Sequence, residues 1–207
     1  MTENLIQRSP EWVAARLGSL GASAVHEVVA RTKTGFAASR ANRMAALILE
    51  RLTGQPQAEY RSFAMDAGIE MEPEARAYYA FTKDTDVKEV GLIKHPTIQW
   101  THASPDGLVG EDGGLEIKCP QPGEHLRTLL ERTIPDKYMI QMQWGMACSG
   151  RQWWDYCSYN RHFPEHLRSF IQRVPRDDRR IKELEAAVIA FLGELDQALA
   201  KLSRVAA

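Results

Sequence analysis

Apolar positions along this chain recur in short blocks of either helical or alternating spacing. Ser9-Pro10 starts a helix, with Pro at the first helical position, that runs to about Leu17 and stops at Gly18. A second helix begins after Ser23, a candidate N-cap. Residues 31–35 read as an exposed basic loop. Residues 39–52 form a helix closed by Gly54, and 55–60 are loop. Residues 65–81 form a further helix, with Met71, Ala75, Tyr78 and Tyr79 on one apolar stripe.

Strands follow at 87–93 and 98–103, with His95-Pro96 as the turn between them. Residues 108–109 and 115–118 continue the sheet, and Pro120 ends it. Helices are predicted at 123–131 and 136–148, strands at 152–159 and 167–174, and an amphipathic helix at 177–202. No internal repeat or low-complexity segment interrupts them. The order predicts one mixed α/β domain over residues 1–207, a central sheet flanked by helices.

Composition narrows the class. A chain of 207 residues, 44% hydrophobic, can bury a full core. It has no apolar run long enough for a transmembrane helix and no signal-peptide pattern at its start. Three cysteines without CxxC spacing point to reduced thiols and a cytoplasmic protein, and argue against a four-cysteine iron–sulfur cluster. The net charge of −1 gives no global signature of nucleic-acid binding. It is unevenly spread: residues 1–65 hold eight Lys and Arg against five Asp and Glu, the remainder 18 against 22. A nuclease gathering acids at a metal site has this pattern, and so do many proteins that never touch DNA.

The sharpest chemical signal is Ser104-Pro105-Asp106-Gly107, followed ten residues after the Asp by Glu116-Ile117-Lys118. In a strand, Glu116 and Lys118 point one way while Leu115 and Ile117 face the core. The turn-rich 110–114 segment folds the chain into a hairpin that brings Asp106 near Glu116. Two carboxylates and an ammonium on one sheet edge suit Mg²⁺-assisted phosphodiester hydrolysis. Glu-x-Lys alone is commonly a solvated surface pair worth little. The Asp at hairpin spacing sets this one apart.

Other residues have two readings. Glu72 borders the apolar stripe of its helix, as an ordinary helix acid or as a third metal ligand. Tyr138, Gln141 and Gly145 share a helix face, and Gln141 is either structural or a partner for substrate or metal-bound water. Arg16 and Ser23 are a surface charge and a cap, or together an anion pocket. His26, His95 and His102 lack zinc-type spacing and read as structural. His102 is the most interesting because it precedes the Asp106 turn.

Five blocks in order carry a family likeness over nearly the whole chain: Trp12 with Arg16-Leu17-Gly18 and Ala22-Ser23; Gly68 with Glu72 and Ala75-Arg76; Ser104 to Leu108; Gly114 to Pro120; and Tyr138-Met139 with Gln141. They resemble the lambda exonuclease, or YqaJ-like viral recombinase alkaline exonuclease, family. The resemblance implies a PD-(D/E)xK restriction-endonuclease-like core. It implies that Glu72, Asp106, Glu116 and the Ile117 carbonyl hold Mg²⁺, as two ions, with Mn²⁺ a candidate substitute. Lys118 would activate water, with Gln141 and Tyr138 supporting the water or the scissile phosphate. Arg16, Ser23 and Ser104 match positions that grip a terminal 5′-phosphate, and Lys33 a DNA-contacting position. Met65 stands where the family has a wedge leucine, so that role is a departure.

The implied activity is 5′→3′ digestion of one strand of linear double-stranded DNA, leaving 3′ single-stranded tails. The implied setting is phage or prophage recombination in a bacterial cytoplasm, as a homotrimeric ring working with a single-strand annealing protein, away from any membrane. Two alternatives compete: a site-specific endonuclease of the same fold and a non-catalytic DNA-binding recombination scaffold. The intact Glu72, Asp106, Glu116 and Lys118 set argues against the scaffold. A requirement for a DNA end would separate the exonuclease from the endonuclease.

Overall fold

The computed structural model describes residues 2–3, 5–57 and 63–205, with side chains for 5–57 and 66–204. The chain opens with strand β1 (Thr2–Glu3) and helix α1 (Pro10–Arg16). Ser9 caps α1, its hydroxyl accepting the Trp12 N–H at 3.2 Å. Gly18, at φ 65°, turns the chain toward β2 (Leu20–Gly21). Ser23 does not cap the next helix. Ala22–Ala24 form a 3-10 turn whose two alanines are buried, which leaves Ser23 facing solvent before α2 (Val25–Val29).

The basic loop is a two-stranded ribbon, β3 (Arg31–Thr32) with β4 (Gly35–Phe36). Helix α3 (Ala38–Thr53) ends at the left-handed Gly54, and α4 spans Phe63–Lys83. Then come β5 (Val87–Lys88), β6 (Leu92–Lys94), β7 (Thr101–Ala103), β8 (Gly107–Val109) and β9 (Gly113–Lys118). Helices α5 (Pro122–Glu131) and α6 (Asp136–Ser149), strands β10 (Trp153–Tyr159) and β11 (Ser169–Pro175), and helix α7 (Asp178–Val205) complete it.

The strands build two larger sheets instead of one: β1-β6-β7-β2 and β11-β10-β9-β8-β5. The predicted strand at 87–93 is divided between them, β5 in the second and β6 in the first. Gly91 lies at this crossing, where a Cβ would fall 2.1 Å from the Leu5 carbonyl oxygen, so the N-terminal segment passes through the space of a side chain. Residues 98–100 turn instead of extending. The His95 Nδ1 accepts the Ile98 N–H at 3.1 Å, and Trp100 sits at φ 62°.

In the five-stranded sheet β9 and β10 run parallel, joined by the α5–α6 crossover that parallel neighbours require, and the other pairs are antiparallel. Both faces are covered. Leu115, Ile117, Cys157 and Tyr159 pack with Ala75 and Tyr79 of α4 in a small core. Trp154, Tyr156, Phe170 and Val174 join α6 and α7 in the main one. Helix α6 is apolar nearly all round, as a helix enclosed by neighbours must be. Trp154 is wedged between Gly114 of β9 and Gly145 of α6, where a Cβ would come within 2.4 and 2.9 Å of the indole. That contact seats α6 against the strands and fixes where its side chains reach β9. Among the described residues no helix is long and apolar enough to cross a membrane.

Candidate active site

The β8–β9 hairpin sets Gly107 opposite Leu115 and carries Asp106 to the edge of β9. The Asp106 N–H donates to the Leu115 carbonyl at 3.2 Å, and the Ile117 N–H donates to Asp106 Oδ2 at 2.6 Å. The carboxylate is thus fastened to the strand one position from Glu116. Glu116, 3% exposed, and Lys118 share the α6-facing side of β9. The Lys118 ammonium donates to Glu116 Oε1 at 2.5 Å, and Gln141 Nε2 donates to the same oxygen at 2.7 Å. Among the described residues Oε2 of Glu116 accepts no hydrogen bond. Lys118 Nζ also lies 5.0 Å from the centre of the Tyr138 ring, which stacks on Tyr156.

Burial and the neighbouring Glu116 push the Asp106 carboxyl up to about 8. Burial raises Glu116 too, against the pull of Lys118. Burial alone would lower Lys118, but Glu116 and Asp106 outweigh it and hold the amine above the ordinary lysine range. The cluster is therefore short of positive charge.

Glu72 comes from α4, on the opposite side of the sheet. Its Oε2 accepts from Arg8 at 2.5 Å and its Oε1 from Arg76 at 3.0 Å. Arg76 Nε donates to the Asp106 carbonyl at 2.8 Å, tying α4 to the Asp106 turn. One turn earlier Gly68 lets α4 approach β9, since a Cβ there would lie 3.2 Å from the Cys119 carbonyl. Burial, then Glu72 and Asp106, pushes the Cys119 thiol up to about 12, so it packs as a neutral group.

Among the described residues no three acid, imidazole or thiol groups converge closely enough to grip a metal ion as they stand. The Glu72 oxygens are turned to the two arginines instead. The donor chemistry nevertheless fits a hard dication: a buried Glu116 beside a half-buried Asp106, with Ile117 between Glu116 and Lys118, and a charge deficit that such an ion would offset.

Arg16 and Ser23 line a separate cleft of about 340 Å³ together with Arg8, Trp12 and Arg43. The Arg16 guanidinium lies 3.9 Å from the centre of the Trp12 ring, and its Nε donates to His102 at 3.1 Å. Ser104 does not line this cleft. Its hydroxyl is buried with no hydrogen-bond partner among the described residues. Lys33 is exposed at the ribbon tip and joins neither group. The Met65 side chain lies outside the described residues.

The sequence assigns no role to Arg8 or Arg76, and His102 reads there as structural. Arg76 had a signal in its i,i+4 spacing from Glu72. Arg8 had none, being 64 residues from the acid it meets, yet it touches Glu72 and lines the Arg16 cleft.

An acid before one strand, Glu-x-Lys on the next, and a mixed sheet between helices define a PD-(D/E)xK restriction-endonuclease-like core. The chain belongs to the YqaJ-like viral recombinase family, whose domain it matches over residues 11–152. It is similar to the alkaline exonuclease LHK-Exo from Laribacter hongkongensis, with 47% identity, a TM-score of 0.90, and 96% of this chain and 98% of that one covered. LHK-Exo in complex with dAMP matches at 48% identity and the same TM-score and coverage. A phage related exonuclease from Haemophilus somnus 129PT shares the fold at 16% identity, with a TM-score of 0.75 over 89% of this chain and 96% of that one. No match is found among curated proteins.

Proposed function

We propose that this protein is a Mg²⁺-dependent exonuclease that digests one strand of linear duplex DNA 5′→3′ and leaves a 3′ single-stranded tail for strand annealing. One observation carries this reading. Asp106, Glu116, Lys118 and Gln141 are gathered at β9, in a chain 47% identical over 96% of its length to an alkaline exonuclease.

Asp106, Glu116 and the Ile117 carbonyl would hold the metal, joined by Glu72 on its release from Arg8 and Arg76. When bound, the dication supplies Lewis acidity toward the phosphate and a more acidic water. The rest is the work of the chain. Lys118, held protonated by its acids, donates to the water or to a phosphate oxygen and stabilises developing charge. Gln141 fixes Glu116 through Oε1 and so leaves Oε2 to act as a ligand. Tyr138 places its ring beside Lys118 and limits where the ammonium can swing. Water adds to phosphorus and the bond to the 3′ oxygen breaks. The released nucleotide keeps its 5′-phosphate and gains a 3′ hydroxyl, and the remaining strand begins with a new 5′-phosphate.

The Arg16 and Ser23 cleft would receive that terminal phosphate. Ser104 would add a donor only on turning its buried hydroxyl out toward the cleft, and Lys33 and Met65 would meet the duplex. A guanidinium gives a forked, charge-assisted contact to such a group. Our reading includes a homotrimeric ring and an annealing partner. With a net charge of −1, retention by a closed ring replaces electrostatic grip. The test is digestion of linear duplexes labelled at either end, beside a closed circle, in Mg²⁺ and in EDTA. Mononucleotides should leave from 5′ ends in Mg²⁺ alone, with the circle intact. Cutting of the circle, or release from 3′ ends, would overturn the proposal.

A further inference from the structure

The cleft is backed by a residue that neither metal chemistry nor DNA contact explains. His102 is 2% exposed in β7, opposite Gly21 of β2 and Lys94 of β6. Its Nε2 accepts the Arg16 Nε–H at 3.1 Å, and its Nδ1 lies 2.9 Å from Ser19 Oγ. An arginine can only donate, so Nε2 is the unprotonated nitrogen. The ring proton then sits on Nδ1 and is donated to Ser19. Gly21 leaves room for the pair, since a Cβ there would lie 3.2 Å from His102 Nε2 and 3.5 Å from an Arg16 Nη. Trp12 covers the guanidinium face.

We propose that His102, anchored by Ser19, is a positioning residue for anion recognition by Arg16. The neutral imidazole takes the Nε–H and sets the guanidinium plane against Trp12 at the wall of the cleft. A free arginine side chain has several rotamers, and holding it in one spares that ordering cost when a phosphate arrives. Burial, then Arg16 and Lys94, pushes the imidazole down to about 3, in keeping with a permanent acceptor. A protonated ring would turn two donors toward each other.

The inference rests on Arg16 as the terminal-phosphate ligand, and the experiment separates the two. The readout is the rate ratio on 5′-phosphoryl over 5′-hydroxyl duplexes, with KM and kcat resolved and folding checked by circular dichroism. The parent should prefer the phosphorylated end, and Arg16→Ala should lose the preference. His102→Leu should lower the ratio about tenfold, the scale of one hydrogen bond to a charged group, through KM on phosphorylated ends. His102→Gln, whose amide oxygen can accept from Arg16, should keep most of it. Ser19→Ala should lower it partly, and decides the matter if His102→Leu fails to fold. An unchanged ratio in His102→Leu and Ser19→Ala, or equal loss in His102→Gln and His102→Leu, would show that His102 is only packing. A parent indifferent to the 5′-phosphate would remove the reading of Arg16 and this inference with it.

Discussion

Gln141 and Glu116, 25 residues apart and on different elements, meet at 2.7 Å on the α6 side of β9. The helix brings a neutral donor to a buried carboxylate that already holds Lys118. Replacing Gln141 with Ala should lower kcat by about 10- to 100-fold, the usual cost of losing a group that orients a ligand, with DNA affinity little changed. Single-turnover rates and equilibrium binding would check the split. Loss in binding alone would place Gln141 on the substrate instead.

Asp106 accepts the Ile117 N–H and, on the proposed reading, would also hold the metal; different substitutions separate the two. Asp106→Ala removes the proposed metal ligand, so it should abolish cleavage, and removes the acceptor of the Ile117 N–H, at a cost of about 1–3 kcal/mol of stability. Asp106→Asn keeps an acceptor and should be equally inactive but closer to the parent in denaturant midpoint. Glu116→Ala should also be inactive. Measurable cutting by any of these folded variants would remove the metal site from the mechanism.

Lys118→Ala should bind duplex DNA nearly as well as the parent and lose most turnover, because in the proposed mechanism its ammonium would act on the water and the transition state more than on the ground state. Normal cutting with weakened binding would reverse that assignment.

The raised Asp106 carboxyl makes stability depend on pH in a defined direction. Its proton is held up to about 8 in the folded chain and near 3.8 in the unfolded one, so the folded state binds more protons between these values. Without divalent metal, stability from this group is present at about pH 4 and is lost as pH rises toward 8. Glu116 acts in the same sense. Melting in EDTA should therefore weaken across that window, and Mg²⁺ should raise the melting temperature more at pH 8.5 than at pH 5. Asp106→Asn should flatten the dependence, and a Mg²⁺ effect independent of pH would count against the site.

Packing gives a prediction remote from the chemistry. Gly114→Ala drives a methyl group to 2.4 Å from the buried Trp154 indole and should cost at least about 1–3 kcal/mol. Chemical denaturation of the variant would measure it.

The meeting of Asp106, Glu116 and Lys118 is legible in the sequence, because it depends on short-range pattern. Period-two alternation puts Glu116 and Lys118 on one side, and a glycine-rich turn of hairpin length brings Asp106 back to them. Helix ends at Ser9 and Gly54 follow from side-chain capping and positive φ, both local effects. Only tertiary structure decided the partners drawn from distant segments. The Arg8 hold on Glu72, the His102 seat of Arg16 and the wedge of Trp154 between Gly114 and Gly145 join segments with no mutual periodicity. The division of residues 87–93 between two sheets has the same origin, since strand pairing is chosen by what lies alongside and not by the strand's own residues.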